Sequence, residues 1–494
     1  MSNSNHHGAT PRRASSARRR SAFPAVVLGI ALATGMTSCG GGGGDNADTS
    51  AEPSPTSPTP QPAPTPAPSS PAPVAEEPAE PQPSVMAEIK VAVPAGMATR
   101  PFDVQRTLRA PEGTAVSVFA RVQDARFMAV APNGDLLVSD TDNGNIVLLR
   151  PDEGGAARSF VFASGLTRPH DLVFHTVGAV TYLYIAQSNR IVRTVYGSGD
   201  TAAQALQTVV DNLPDASTPE LRGTHLHALK NIALRDDKLY VSIASSCNAC
   251  ISDTISDPIR SAIYEYDLEG GNRRLYARGL RNAEGLAFRP GTSELWVTVN
   301  GRDRIAYPFR NDWDGDGIDD YGRVMQTYVD GHPPDVLTRV RDGGHYGWPF
   351  CNANPDNGPD NMSYDFDMEQ NPDNSRFDCT TADRATKGLP AHSAPLGVSF
   401  LHDDSLPAAL QNSIAIALHG CWNCTELNGH EIALYPLQVD GRVGTPIDLI
   451  TGWITDAKER QRWGRPVDVV PDRRGGLFVS DDFSGTVYRV TFKE

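Results

Sequence analysis

Basic charge is scarce in this chain: 44 Lys and Arg stand against 59 Asp and Glu, a formal net charge of −15. Five of those arginines (Arg12, Arg13, Arg18, Arg19, Arg20) fall in the first 38 residues, where there is no acid, so the remainder carries −15 − 5 = −20. A phosphate backbone is gripped by clustered Lys and Arg, and their shortage excludes a nucleic-acid partner. Long apolar runs are rarer still. After Ala22–Met36 no stretch reaches the roughly eighteen apolar residues of a spanning helix, which excludes one from the rest of the chain. Large side chains are almost missing from Gly40 to about Val85, a stretch of Gly, Ser, Thr, Ala and above all Pro. Such a composition buries too little surface to offset its ordering entropy and makes a semi-extended tether.

What the N-terminus does contain is an export signal. The five arginines form a basic region, Ala22–Met36 an apolar one, and Met36-Thr37-Ser38-Cys39 follows. The residues before Cys39 resemble a bacterial lipobox, in which the cysteine is lipidated and becomes the new N-terminus; the alternative is an ordinary signal cut nearby. The expected organisation is a lipoprotein signal peptide over 1–38, a Gly/Pro-rich tether over 39–98 and a folded domain over 99–494. The protein is then expected on the periplasmic or cell-surface side of a bacterial membrane, held by lipid on Cys39.

Six cysteines remain: Cys247, Cys250, Cys351, Cys379, Cys421 and Cys424. An even number in an exported chain predicts three disulfides, with Cys351 to Cys379 closing a loop rich in Asp, Asn and Pro. Two CxxC spacings leave a zinc site as the alternative.

From Arg126 one pattern recurs. RFMAVAPNGDLLVSDTDNGNIVLLRP (126–151) reads as strand, turn, strand, turn, strand, and RPVDVVPDRRGGLFVSDDFSGTVYRVTF (465–492) repeats it almost position for position. Weaker copies start at Arg168, Leu229, Arg281 and Pro395, making six. Short β-branched runs bounded by Gly, Pro, Asn and Asp, recurring as small antiparallel units, predict blades around an axis. The expected fold is all-β: a six-bladed β-propeller with long insertions near 302–335 and 350–392.

Propellers bind ligands at one mouth of the channel, so residues just before each inner strand converge. Here those positions hold Arg168, His170, His225, His227, Arg281, Asn282, His392, His419 and Arg465. A propeller that only held a partner would not need so many cations and imidazoles aimed at one point.

At these residues the chain resembles the quinoprotein glucose/sorbosone dehydrogenases, propellers that use pyrroloquinoline quinone (PQQ). The words that carry the resemblance are LRNAEGLAF (280–288), DGGHYGWPFC (342–351), SSCNAC (245–250) and HSAPLGVSF (392–400), and it covers about Ala125 to Val490. PQQ bears three carboxylates and an ortho-quinone, so its pocket calls for Arg, Lys or His, and hydride transfer from an alcohol calls for a base such as His. The resemblance implies His227 as catalytic base, with His225 the rival for that role. It implies Arg281 and Asn282 as the pair beside the reacting carbonyl, and Arg465, His170 and His419 as further cofactor contacts. Trp463 stands where the family has a second arginine, and Glu284 where a Gln is common. Tyr346 and Trp348 are expected in the core. A calcium beside the quinone is implied at the main-chain oxygens of Gly301 and Arg302 in VNGRD, as a Lewis acid.

A second calcium signal stands apart. In NDWDGDGIDDYG, Asp312, Asp314 and Asp316 alternate, Ile318 offers a carbonyl and Asp320 falls on the ninth position of the loop. Arg323 replaces the twelfth-position Glu of an EF-hand, and surrounding Pro and Gly leave no room for two helices. A structural calcium is expected, against an acidic turn that binds nothing.

The function expected is a PQQ- and calcium-dependent dehydrogenase of a sugar, sugar aldehyde or polyol, passing electrons to a respiratory acceptor. The alternatives are a calcium-dependent lactonase-type propeller and a non-catalytic binding propeller. The former would want convergent Glu, Asn and Asp rather than His and Arg.

Overall fold

A computed structural model describes residues 85–152 and 155–493. The expected signal over 1–38, the expected lipidation site Cys39 and the expected tether as far as residue 84 lie outside the described residues. Six antiparallel sheets form a closed ring of blades. Their first strands are Ala125–Val130, Leu172–Val177, Ile232–Arg235, Ala283–Phe288, Pro395–Leu401 and Pro466–Pro471, which open blades 1 to 6. Each touches the next and the last touches the first. The six sequence copies therefore correspond to the six blades. Blade 6 takes its outermost strand, Thr114–Arg121, from the N-terminal side and pairs it with Thr486–Phe492. That exchange closes the ring and gives blade 6 its fourth strand.

The core lies in wedges between blades. Leu136 and Val138 face blade 6, while Leu137, between them, faces blade 2. Both faces of the strand are buried, so it opens on the apolar run Leu136-Leu137-Val138, and its Ser139 and Asp140 are buried as well. Leu136 and Leu137 are fully buried, and each such side chain contributes about 2 kcal/mol.

Folded structure begins upstream of the expected boundary at 99. Met86–Lys90 pairs antiparallel with Thr107–Pro111, and Val91, Phe102 and Leu108 join the wedge between blades 5 and 6. Ala87, Ile89 and Val91 supply an apolar face too short to stand out after so much proline.

Antiparallel pairing sets the start of each first strand beside the end of the second. Ala125 pairs with Asp140, Ala283 with Val299, Pro395 with Leu418 and Pro466 with Asp481. Segments that precede first strands and follow second strands thus share one mouth. Both long insertions belong to blade 4. Residues 300–334 follow its second strand, Leu295–Val299, and residues 341–386 separate its third, Asp335–Val340, from its fourth, Lys387–Leu389. The second insertion starts earlier than expected, because Gly344–His345 leaves blade 4 to run parallel to Arg274–Arg278 at the edge of blade 3. Gly347 turns with φ of 91°, and a Cβ there would sit 2.9 Å from that of Cys351. Tyr346 and Trp348 are buried, as expected of core.

The six cysteines form three disulfides, Cys247–Cys250, Cys351–Cys379 and Cys421–Cys424. They leave no thiolate for zinc. No helix among the described residues is long and apolar enough to cross a membrane.

Candidate active site

His227 precedes the first strand of blade 3 and is half-buried. Its Nδ1 lies 3.1 Å from the Ser245 carbonyl and 2.8 Å from the Ser245 hydroxyl. A carbonyl only accepts, so Nδ1 carries the proton and donates it, leaving the lone pair on Nε2. Nε2 makes no hydrogen bond among the described residues. Burial pushes the His227 pKa down to about 3, Arg281 pushes it further and Glu284 opposes them. The imidazole is therefore neutral and able to take a proton. His225 faces elsewhere: its Nε2 meets the Ala244 carbonyl at 3.3 Å, and its charged neighbours are Lys230, Arg260 and Asp215.

Arg281 is buried and held on three sides. Its Nη2 pairs with Asp303 at 2.8 Å and reaches the Asn248 Oδ1 at 3.0 Å, and its Nε donates to the Asn248 carbonyl at 3.1 Å. Asn282 donates to Glu284 at 3.0 Å and to the Asn300 Oδ1 at 3.2 Å. Glu284 then meets His170 Nε2 at 3.1 Å. Blades 2 and 4 are not neighbours, so this contact spans the channel mouth. Burial raises the Glu284 pKa, but His170, Arg126 and Asn282 outweigh it and hold the group at about 2. It is ionised at neutral pH.

A second hub is Asp482. It accepts from Arg126 at 2.7 Å and from Arg465 at 3.1 Å, with His419 Nε2 3.5 Å away. Burial works against its charge, but His419, Arg126 and Arg465 pull its pKa well below the usual carboxylate range. His419 anchors its other nitrogen on the Pro466 carbonyl at 2.8 Å. Two more of the residues expected to converge turn aside. His392 packs under the insertion, its Nε2 on the Val329 carbonyl at 2.7 Å, and Arg168 is exposed beside Asp142. Trp463 is core, stacked obliquely against Trp453 and bonded to the Gly452 carbonyl.

The main-chain oxygens of Gly301 and Arg302 accept no hydrogen bond among the described residues, which leaves both free for a cation. The Gly301 N–H is pinned on Asp335 at 2.6 Å, and the Arg302 side chain is buried against Asp367 and Glu369. In the acidic loop, ligand atoms of Asp312, Asp314 and Asp320 lie within 4.8 Å of one another. Asp316 is not among them; it faces Arg323, which also bonds Asp320. The exposed Ile318 donates its N–H to Asp316 at 2.8 Å.

Arg126, Asp482, Asp303 and Ser245 also reach this mouth, although none of them precedes an inner strand. Arg126 and Glu284 each lie one residue inside a strand, within a register shift that re-aims the side chain. The others follow second strands, at the same mouth by pairing and not by any motif.

The donor set fits a polyanionic quinone. Buried Arg126 Nε and Gln187 Nε2 have no partner among the described residues, and both belong to segments at this mouth; His170, whose Nε2–H goes to Glu284, turns a bare Nδ1 the other way. Fold and site together define a six-bladed propeller with a mouth rich in arginine and imidazole. A family model described as TrAA12-like matches residues 109–493, and the chain belongs to that family, which is one of PQQ-dependent sugar dehydrogenases. An uncharacterized protein of Borreliella burgdorferi is 28% identical over 264 residues, 53% of this chain and 59% of its own. The chain thus spans about three fifths of the length of the curated relative it matches. Among solved structures, the holo PQQ domain of pyranose dehydrogenase from Coprinopsis cinerea superposes with a TM-score of 0.63 at 18% identity, covering 81% of this chain and 99% of that one. A calcium structure of the family AA12 enzyme of Trichoderma reesei gives 0.62 at 20%, covering 78% and 97%. These likenesses are of fold.

Proposed function

We propose that this protein is a PQQ- and calcium-dependent dehydrogenase acting on the CH–OH or aldehyde group of a sugar, sugar aldehyde or polyol. The observation that carries the proposal is His227: a neutral imidazole with Nδ1 locked on Ser245, Nε2 free, and Arg281 close enough to depress its pKa. Bound PQQ supplies an ortho-quinone that accepts the hydride. His227 Nε2 takes the hydroxyl proton as the substrate carbon is oxidised, and its Nδ1–H stays on the Ser245 carbonyl, which stabilises the imidazolium. Arg281 supplies a fixed positive charge where negative charge develops. Arg126, Gln187 and Arg465 would hold and orient the carboxylates; His170, His419 and Asn282, whose N–H groups are spent on Glu284, the Pro466 carbonyl and Glu284 with Asn300, would line the cofactor beside them.

Charge balance supports calcium. Arg126 and Arg465 share Asp482, Arg281 has Asp303, and Glu284 is ionised. Three arginines thus face three carboxylates before a tricarboxylate enters. A divalent cation on the free Gly301 and Arg302 oxygens would offset that excess of negative charge. Among the described residues, the one group of three acidic, imidazole or thiol side chains in metal reach is Asp312, Asp314 and Asp320, in the acidic loop. We assign that loop a separate, structural calcium, with Asp316 outside its ligand set.

The N-terminal sequence supports export and anchoring through Cys39, with electrons leaving to a respiratory acceptor; palmitate labelling that persists in Cys39→Ala would sink the anchor. The function is tested by titrating the full chain with PQQ in calcium buffer and again after chelation. Tight binding that weakens on chelation is expected, and no binding in either condition overturns the proposal.

A further inference from the structure

One segment of blade 3 grips both halves of the site. SSCNAC, Ser245 to Cys250, follows the second strand Lys238–Ile243 at the mouth and is closed by the Cys247–Cys250 disulfide. Its first residue orients His227, and the Ser245 N–H donates to the Arg281 carbonyl at 2.8 Å. Its base is fixed by Ser246, whose N–H and hydroxyl bond Asp253 at 2.7 and 2.6 Å; Asp253 is fully buried and paired with Arg260. Its middle belongs to Asn248. That carbonyl accepts from Arg281 Nε and from Trp348 Nε1, at 3.1 and 3.2 Å. The side-chain Oδ1 accepts from Arg281 Nη2 at 3.0 Å and from the Asp303 N–H at 2.9 Å, while Nδ2 donates to the Asp303 carbonyl at 2.9 Å.

Asn248 therefore spends all its side-chain bonds on Arg281 and on the residue that follows the proposed calcium oxygens of Gly301 and Arg302. With Nε and Nη2 engaged, Arg281 keeps only Nη1 loosely held, 3.5 Å from the Asn300 carbonyl. A long, flexible side chain is thus reduced to one orientation with one available donor edge, which lowers the entropy lost when that edge meets a ligand. A CxxC disulfide one residue from Asn248 on one side and two on the other keeps the short loop from relaxing away.

We propose that Asn248, held by the Cys247–Cys250 disulfide, is a positioning residue that sets Arg281 and, through it, the affinity for the quinone cofactor. The proposal rests on the PQQ function above.

A double-mutant cycle on the full chain tests it, read as the PQQ dissociation constant from absorbance titration in calcium buffer, with far-UV circular dichroism as a check on folding. Asn248→Ala is expected to weaken binding by on the order of tenfold, the scale of one hydrogen bond to a charged group. In an Arg281→Ala background the same substitution is expected to change nothing further, because its effect runs through that arginine. Equal losses in both backgrounds overturn the proposal and leave Asn248 a general support of the loop. Cys247→Ser with Cys250→Ser is expected to weaken binding as well; an unchanged constant overturns the part given to the disulfide. A wild-type chain that binds no PQQ overturns the parent function before any substitution is made.

Discussion

His227 shows how much one side chain's surroundings decide. Its pKa falls to about 3 through burial first and Arg281 second, so protons bind it only in strong acid. A base must be neutral to act, and activity that depends on it is lost as pH falls through its pKa. The acid limb of kcat/KM in the wild-type enzyme is therefore expected well below the ordinary histidine value of about 6.5. A limb at or above that value, in a profile taken with saturating cofactor, would contradict the assignment. At this scale the sequence was legible where a residue's place in the repeat determined its surroundings: His227, Arg281, Asn282, His419 and Arg465 all sit at the mouth. It was not legible where tertiary pairing decides. His392 precedes an inner strand like the others, yet a left-handed backbone with φ of 58° turns it under the insertion. Glu284 looks like a defect beside the family's Gln and is instead the charge that ties His170 to Asn282.

Among the elements, blade strands could be read from alternation and turn residues because each packs in a local, repeated way. The insertions could not. Nothing in DGGHYGWPFC announces that Gly344–His345 joins blade 3, since a parallel pair has no hairpin to mark it. Close approach between first strands is likewise invisible in one dimension. Gly397, in blade 5, lies against blade 6: a Cβ there would come 2.0 Å from Asp468 Oδ1 and 2.7 Å from its Cα. Asp468 cannot easily yield, because it accepts the Met128 and Val469 N–H groups at 2.9 Å each. Gly397→Ala is expected to lower stability by about 1–3 kcal/mol, the usual cost of overpacking a filled site. An unchanged denaturant midpoint would show that the strands separate more freely than their packing implies.

For the whole molecule, the decisive feature is closure of the ring. Thr114–Arg121 completes blade 6, and Arg121 clamps the Arg100, Ser484 and Gly485 carbonyls from 2.8 to 3.0 Å. Deleting residues before 122 should leave Phe478 and Val487 without Phe119 and expose the edge Thr486–Phe492, so the truncated chain is expected to aggregate. Recovery of a soluble monomer with the full chain's melting temperature would refute that role. The ring brings six separated segments to one mouth, and the six-fold count was legible in the repeats. The particular partners across the mouth were not.

The measurement that bears most directly on the function is the absorbance spectrum of PQQ in the reconstituted, calcium-loaded full chain, before and after adding a panel of aldoses, sorbosone-like aldehydes and polyols. In the wild type the spectrum is expected to pass to that of the reduced cofactor with at least one of them. In His227→Gln it is expected to show bound but oxidised cofactor, with reduction slowed by about 10²–10⁴-fold. Reduction at the wild-type rate in His227→Gln, or a wild-type chain that never takes up the cofactor, would contradict the account.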